Sequence, residues 1–263
     1  MAAVTNQKFE PNRPGEDGFC LVVEDLCKTF GGLAAVNQVN LKVKVGERRG
    51  IIGPNGAGKT TFFNLISGAL LPTGGKIFLF GKDITNITAY RRAYLGLSRT
   101  FQITNLFNSL TVIENLVLAA QALEKSKFAM FRPITKFGRL YDRAEDILER
   151  VGMTERRNEC VKNLSHGEQR QIEVGMALIQ NPRLLLLDEP TAGLAPAESA
   201  ILVSMLKKLD RTITILIIEH DMDVAFQLTD YITVLNFGKM LAEGDLASIK
   251  ANAKVQEVYL GMP

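Results

Sequence analysis

Histidine is nearly absent from this chain: His166 and His220 are the only two in 263 residues, too few for a histidine-rich metal site. Cysteine is also scarce. Cys20, Cys27 and Cys160 form no C-x-x-C pair and leave an odd one over, so they read as reduced thiols serving as small buried hydrophobes. No apolar run approaches the roughly 20 residues that span a bilayer. Residues 1–18 are polar, carry prolines and acids, and lack the apolar centre of a signal peptide. The expectation is a soluble, intracellular protein with a flexible tail over residues 1–18, reaching any membrane through partners. The formal net charge of +3 is too small to argue for nucleic acid. Internal repeats, low-complexity segments and long linkers are missing as well.

What is present is ordinary globular material, with 46% apolar and 22% charged residues. A chain of this length holds one large α/β domain, or one core with a smaller attached lobe. Within it Gly53, Pro54, Asn55, Gly56, Ala57, Gly58, Lys59 and Thr60 fit the pattern G-x-x-x-x-G-K-[ST]. The residues before them, Arg49-Gly-Ile-Ile, read as a short buried strand, and residues 59–67 read as the start of a helix. Strand, glycine loop and helix N-terminus together make an anion site. Glycines let backbone N–H groups turn toward phosphates, and the helix dipole favours negative charge. Lys59 is placed to reach the β- and γ-phosphates and the Thr60 hydroxyl to bind Mg²⁺. The chain is expected to bind a nucleoside triphosphate.

Residues 21–26 and 39–45, separated by Gly31-Gly32, are rich in β-formers, and with residues 76–80 they predict an antiparallel sheet beside the loop. Between about 106 and 176 the β-signals fade and helical spacing takes over, notably over 112–123 and 140–151, which predicts a helical insertion. The nearly continuous apolar runs 184–187 and 213–218, joined by a helix near 198–209, read as parallel strands buried on both faces. Residues 125–139 interleave basic and apolar side chains. Pro133 and Gly138 break them up, so the reading there is a loop packed on the helical lobe. Residues 245–260 add helical turns.

Within residues 184–189, Asp188 and Glu189 stand at the carboxyl end of a predicted buried strand, where α/β ligands bind. Asp188 suits Mg²⁺ beside Thr60, and Glu189 suits polarisation of an attacking water, because phosphoryl transfer needs mainly positioning and charge neutralisation. Leu164-Ser-His-Gly-Glu-Gln reads as a helix start, with Ser165 and Glu168 in capping-box spacing. Ile218-Glu-His220 ends the next strand.

In order and spacing these motifs resemble the nucleotide-binding subunit of an ABC transporter over residues 20–243. Residues 53–60 look like its Walker A loop, 184–189 its Walker B strand and 164–169 its signature. Gln102 is similar to the Q-loop glutamine, His220 to the switch histidine, and Phe30 to the aromatic that stacks on adenine. The resemblance implies a P-loop ATPase core with a mostly parallel sheet, a flanking antiparallel β subdomain and the helical subdomain as an insertion, all within residues 19–263. ATP and Mg²⁺ are the implied substrate and cofactor. Nucleotide contacts fall on Phe30 and on Gly53 through Thr60 and Thr61, metal contacts on Thr60, Gln102 and Asp188, and catalysis on Glu189, His220 and Gln102. The family pairs two subunits head to tail, with ATP sandwiched between the loop of one and Ser165, His166, Gly167 and Glu168 of the other.

The motifs depart from the common pattern in places. His166 stands where glycine is usual and Glu168 where glutamine is frequent, while Ser165 and Gly167 remain as the phosphate-facing pair. Ala195 stands where an aspartate is usual and offers no side-chain acceptor, which predicts weaker or differently wired communication across a dimer.

Residues 30–37, Arg99-Thr-Phe-Gln102, 111–116, 218–222 and the closing Val258-Tyr-Leu-Gly261 resemble the first of two unlike ATPase subunits of branched-chain amino acid importers, a group that includes urea and amide importers. That implies a second ATPase subunit, identical or not, and two transmembrane permease subunits. It further implies, indirectly, a solute-binding protein, and a place at the cytoplasmic face of the inner or plasma membrane. Two alternatives stay open: a lipopolysaccharide-type export ATPase, and a non-transport ABC ATPase acting on nucleic acid or ribosomes. The small net charge and the lack of a second ATPase half speak against the latter.

Overall fold

Two sheets divide the β-formers of the chain. A computed structural model describes residues 18–100, 106–124 and 138–260. In chain order the elements are β1 (Phe19–Phe30), β2 (Leu33–Lys44), β3 (Arg48–Ile52), α1 (Lys59–Ser67), β4 (Gly74–Leu79), β5 (Lys82–Asp83), α2 (Ala89–Tyr94), β6 (Leu97–Arg99) and α3 (Val112–Gln121). They continue with α4 (Gly138–Arg150), α5 (His166–Leu178), β7 (Leu184–Asp188), α6 (Pro196–Lys207), β8 (Thr214–Ile218), α7 (Met222–Leu228), β9 (Tyr231–Asn236), β10 (Lys239–Asp245), α8 (Leu246–Ala251) and α9 (Ala253–Leu260). One sheet is antiparallel in the order β2-β1-β4-β5; the other runs β10-β9-β3-β8-β7-β6 and is parallel except at the β10 edge.

The patterns explain the layers. In β2, Val39, Leu41 and Val43 are buried while Asn40 and Lys42 are exposed, the alternation of a strand covered on one face. β7 and β8 are buried at every residue because both faces are covered. The two faces feed different cores. Leu184, Leu186, Leu216 and Ile218 join α1 and the antiparallel sheet, with Phe62, Phe63 and Ile77. Leu185, Leu187, Ile215 and Ile217 join the helical lobe, with Leu116, Ile147 and Ile172. A third cluster, with Ile232, Val234 and Ile249, seats α8 and α9 on β9.

The α/β class, the antiparallel sheet beside the loop and the helical block follow the sequence expectation. The reading of a loop over 125–139 falls mainly outside the described residues, and its end is corrected: α4 has begun by Gly138, and Arg139 Nη2 donates to Glu124 Oε2 at 2.9 Å. The tail 1–17 also lies outside the described residues. Among those described, no helix is long and apolar enough to cross a membrane.

Candidate nucleotide-binding site

β3, buried along its length between β8 and β9, delivers the glycine loop to the carboxyl edge of the parallel sheet. Close packing requires glycine at 53 and 58. A Cβ at Gly53 would lie 2.2 Å from Leu235 O, and one at Gly58, where φ is +96°, 2.3 Å from Ala35 O. Gly58 is the N-cap of α1 and supplies no side-chain acceptor, so the first-turn N–H groups face the loop with no side-chain cap. Lys59 is buried at the loop's centre, where Nζ donates to Gly53 O at 2.6 Å and Pro54 O at 3.1 Å. Burial lowers its pKa, partly offset by the carboxylates of Glu189 and Asp188.

Those carboxylates close the opposite side. Asp188 is buried at the end of β7, and its Oδ2 accepts from Arg99 Nη2 at 2.6 Å. Arg99 in turn donates through Nη1 to Asn64 Oδ1 at 2.6 Å and Ser67 Oγ at 2.9 Å, tying β6 and β7 to α1. Glu189 follows with φ +45°, a left-handed backbone that is uncommon outside glycine, asparagine and aspartate, and its N–H donates to Ile218 O at 3.0 Å. His220 Nδ1 lies 4.0 Å from Glu189 Oε2 and 3.9 Å from Glu219 Oε2, in ion-pair range but beyond hydrogen-bond reach. Glu219 is fully buried. Its Oε1 accepts from Thr191 Oγ1 at 2.9 Å and Thr191 N–H at 3.3 Å, while Oε2 has no hydrogen-bond partner.

The loop and Glu189 share an open cleft of about 430 Å³, lined by residues 55–61 and Glu189 on its polar side. Phe30, Leu33 and Phe237 line its apolar side and are 47%, 68% and 84% exposed. Three large hydrophobic side chains left open around one cleft mark it as a binding surface. Oxygen donors of Thr60 and Asp188 suit Mg²⁺, a hard cation that keeps waters and shares its sphere with substrate phosphates. Among the described residues no cluster of three or more acidic, cysteine or histidine side chains forms an all-protein metal cage.

Ser165, His166, Gly167 and Glu168 do not line this cleft. Ser165 caps α5: its Oγ accepts from Glu168 N–H at 3.2 Å, and Glu168 Oε2 accepts from Ser165 N–H at 2.8 Å, completing the capping box read from the sequence. The fold therefore gathers the loop, Phe30, Asp188 and Glu189 at one place, with His220 beside Glu189, and leaves the signature segment elsewhere. Gln102 lies outside the described residues. Sequence reading did not single out Arg99 as the partner of Asp188, nor Glu219, Glu198 or Phe237. The adjacency of Glu219 to His220 was the one available signal, since the others depend on contacts between distant segments.

Known proteins resemble this chain in sequence and in fold. A family model described as ABC transporter matches residues 36–192. The high-affinity branched-chain amino acid transport ATP-binding protein LivG of Escherichia coli K12 is 42% identical over 248 residues, covering 92% of this chain and 97% of that protein. An ATP-binding cassette of an ABC transporter in its ADP conformation superposes with a TM-score of 0.83 at 32% identity, covering 93% of this chain and 99% of the other. A dimeric cassette in a post-hydrolysis state with ADP and Pi superposes with a TM-score of 0.72 at 26% identity, covering 86% and 98%. The chain belongs to the ABC transporter ATP-binding family and is an ATPase.

Proposed function

We propose that residues 19–263 form one ABC ATPase domain that pairs with a second ATPase subunit on binding ATP and powers a membrane importer. Branched-chain amino acids, or related amides and urea, are the cargo class. The observation that carries the reading is the cleft itself: Lys59, Thr60 and Glu189 converge there beside Phe30. The near-complete match to an amino-acid transport ATP-binding protein supports the cargo class.

In this reading adenine stacks on Phe30, and the N–H groups of residues 53–61 and the Lys59 ammonium take the phosphates. Thr60 and Asp188, with Gln102, would hold Mg²⁺, which would supply charge neutralisation at the phosphates. Glu189 accepts a proton from the water that attacks the γ-phosphorus as the bond to the β-phosphate oxygen breaks, leaving ADP and phosphate. His220 hydrogen-bonds the γ-phosphate. Arg99 holds Asp188 and α1 in one orientation. Ser165 and Gly167 contact the γ-phosphate of ATP held by the partner subunit, at the positive end of α5. Two permease subunits, and through them a solute-binding protein, complete the assembly at the cytoplasmic face of the membrane, with no nucleic acid partner.

Glu189→Gln should bind MgATP within about twofold of the parent and lose at least about 100-fold in turnover. Retained turnover removes Glu189 from this role. Pull-down of the full chain in mild detergent should recover polytopic membrane subunits; recovery of ribosomes or nucleic acid instead sinks the transport reading.

A further inference from the structure

The carboxylate of Glu198 lies over the N-terminus of α5. Its Oε1 accepts from Ser165 Oγ at 2.9 Å and from Gly167 N–H at 3.0 Å, while Oε2 accepts from Ala195 N–H at 3.2 Å. The side chain also covers the spot physically. A Cβ at Gly167 would lie 2.8 Å from Glu198 Cβ and 2.9 Å from its Cγ and Cδ. A serine hydroxyl has one proton to donate, and here Glu198 takes it; the hydroxyl's acceptor side already serves Glu168 N–H. The donors of the signature are thus bound to an anion that belongs to the same chain.

We propose that Glu198 is a displaceable internal ligand of the signature, occupying the donors an incoming γ-phosphate needs until two chains close. The inference rests on the reading that Ser165 and Gly167 contact ATP held by a partner. Carboxylate and triphosphate are both anions and cannot share one hydroxyl proton and one N–H, so closure requires Glu198 to swing out. Its departure also releases Ala195 N–H, so one displacement loosens the signature and the turn leading into α6 together. Ala195, the N-cap of α6, has no side-chain acceptor, and its backbone N–H is met by Glu198, three residues on. The device sets a threshold: ATP must outcompete an internal carboxylate before the site is complete.

A neutral amide cannot replace the carboxylate fully. If the glutamine oxygen accepts from Ser165 and Gly167, its NH₂ faces the Ala195 N–H, donor against donor. The test uses the full chain with Glu189→Gln, which retains ATP, and measures self-association by analytical ultracentrifugation in saturating MgATP. Glu198→Gln and Glu198→Ala added to this background should each lower the concentration of half-association by about fivefold to tenfold, because a charge-assisted competitor has been removed. Thermal unfolding checks that both variants are folded, and Glu198→Gln preserves shape should the alanine variant be unstable. Unchanged or weaker association in a folded Glu198→Gln chain overturns the inference, leaving Glu198 as a structural cap. Ser165→Ala separates the two levels. If it weakens association while Glu198→Gln gains nothing, only the displaceable ligand falls. If it leaves association intact, the underlying signature reading falls and the inference with it.

Discussion

Glu219 is a buried carboxyl with one oxygen satisfied by Thr191 and the other without a hydrogen-bond partner. Burial raises its pKa above the ordinary 4.5, against the Thr191 hydrogen bonds and the nearby His220, which lower it. The folded protein therefore keeps this proton to higher pH than the unfolded chain does. The stability linked to it is complete below the unfolded value and is lost as pH rises through the raised one. Glu219→Gln has no proton to lose. Its unfolding free energy relative to the parent should improve progressively as pH rises from 4.5, measured by urea unfolding at several pH values. A difference that stays constant across about pH 5 to 8 would show that Glu219 is not held protonated by the fold. Arg48 and Arg49 show the opposite solution to burial. Arg48 donates to Leu209 O at 2.6 Å and Lys207 O at 3.2 Å, and Arg49 pairs with Glu47 at 2.5 Å and Glu243 at 3.1 Å. Lys207, Leu209 and Glu243 lie 159, 161 and 194 residues along the chain from their arginines, so only the Arg49–Glu47 pair is local enough to be read from the strand itself.

Two hairpins make the case for individual elements. β4–β5 and β9–β10 each turn on Phe-Gly, with positive φ at both residues: +49° and +75° at Phe80 and Gly81, +45° and +73° at Phe237 and Gly238. That conformation favours Asn-Gly or Asp-Gly, and a bulky aromatic in it is strained. Phe80 has compensation. It is partly buried against the core, and the Arg183 guanidinium sits 3.4 Å from its ring centre. Phe237 is 84% exposed and lines the proposed nucleotide cleft. Strain and exposure kept together are expected at a functional position. Phe237→Asn should raise stability by about 1 kcal/mol and weaken ATP binding severalfold, read by chemical unfolding and calorimetric titration. A gain in stability with unchanged ATP affinity removes Phe237 from the site. The end of α1 has its own device. Arg92 is fully buried, donates to Leu65 O and Ile66 O at 2.6 Å each, and is pushed down to about 10 by burial. A cation capping the negative end of the phosphate-loop helix fastens it to α2.

For the whole molecule the decisive point is separation. The phosphate loop lies in one cleft, and Ser165 and Gly167 lie outside it, at the head of α5. Stacked in the proposed head-to-tail pair, each chain supplies half of two sites. Ser165→Ala should therefore leave the nucleotide affinity of a single chain within about twofold while lowering turnover about 100-fold, the scale of losing one donor to developing charge. Equal loss of affinity and turnover, measured by titration and phosphate release, would place Ser165 in the same chain's site instead.

The sequence alone determined the chemistry: the glycine loop, the strand-end carboxylates, the capping box at Ser165 and the order of these motifs. Each is a local pattern, set by residues close enough in the chain to share one turn or one helix start. It also determined the layers, because the unbroken apolar runs of β7 and β8 require cover on both faces. Only the tertiary structure decided which charges meet. Arg99 reaches Asp188 because parallel pairing sets β6 beside β7, and Phe237 joins Phe30 because the β9–β10 turn docks on β2, where Gly238 O accepts from Asn37 N–H. Glu198 covers Gly167 because α5 and α6 pack within the lobe that holds both their cores. Such contacts join residues far apart in sequence, where spacing carries no information and only the packing of the layers sets the distance.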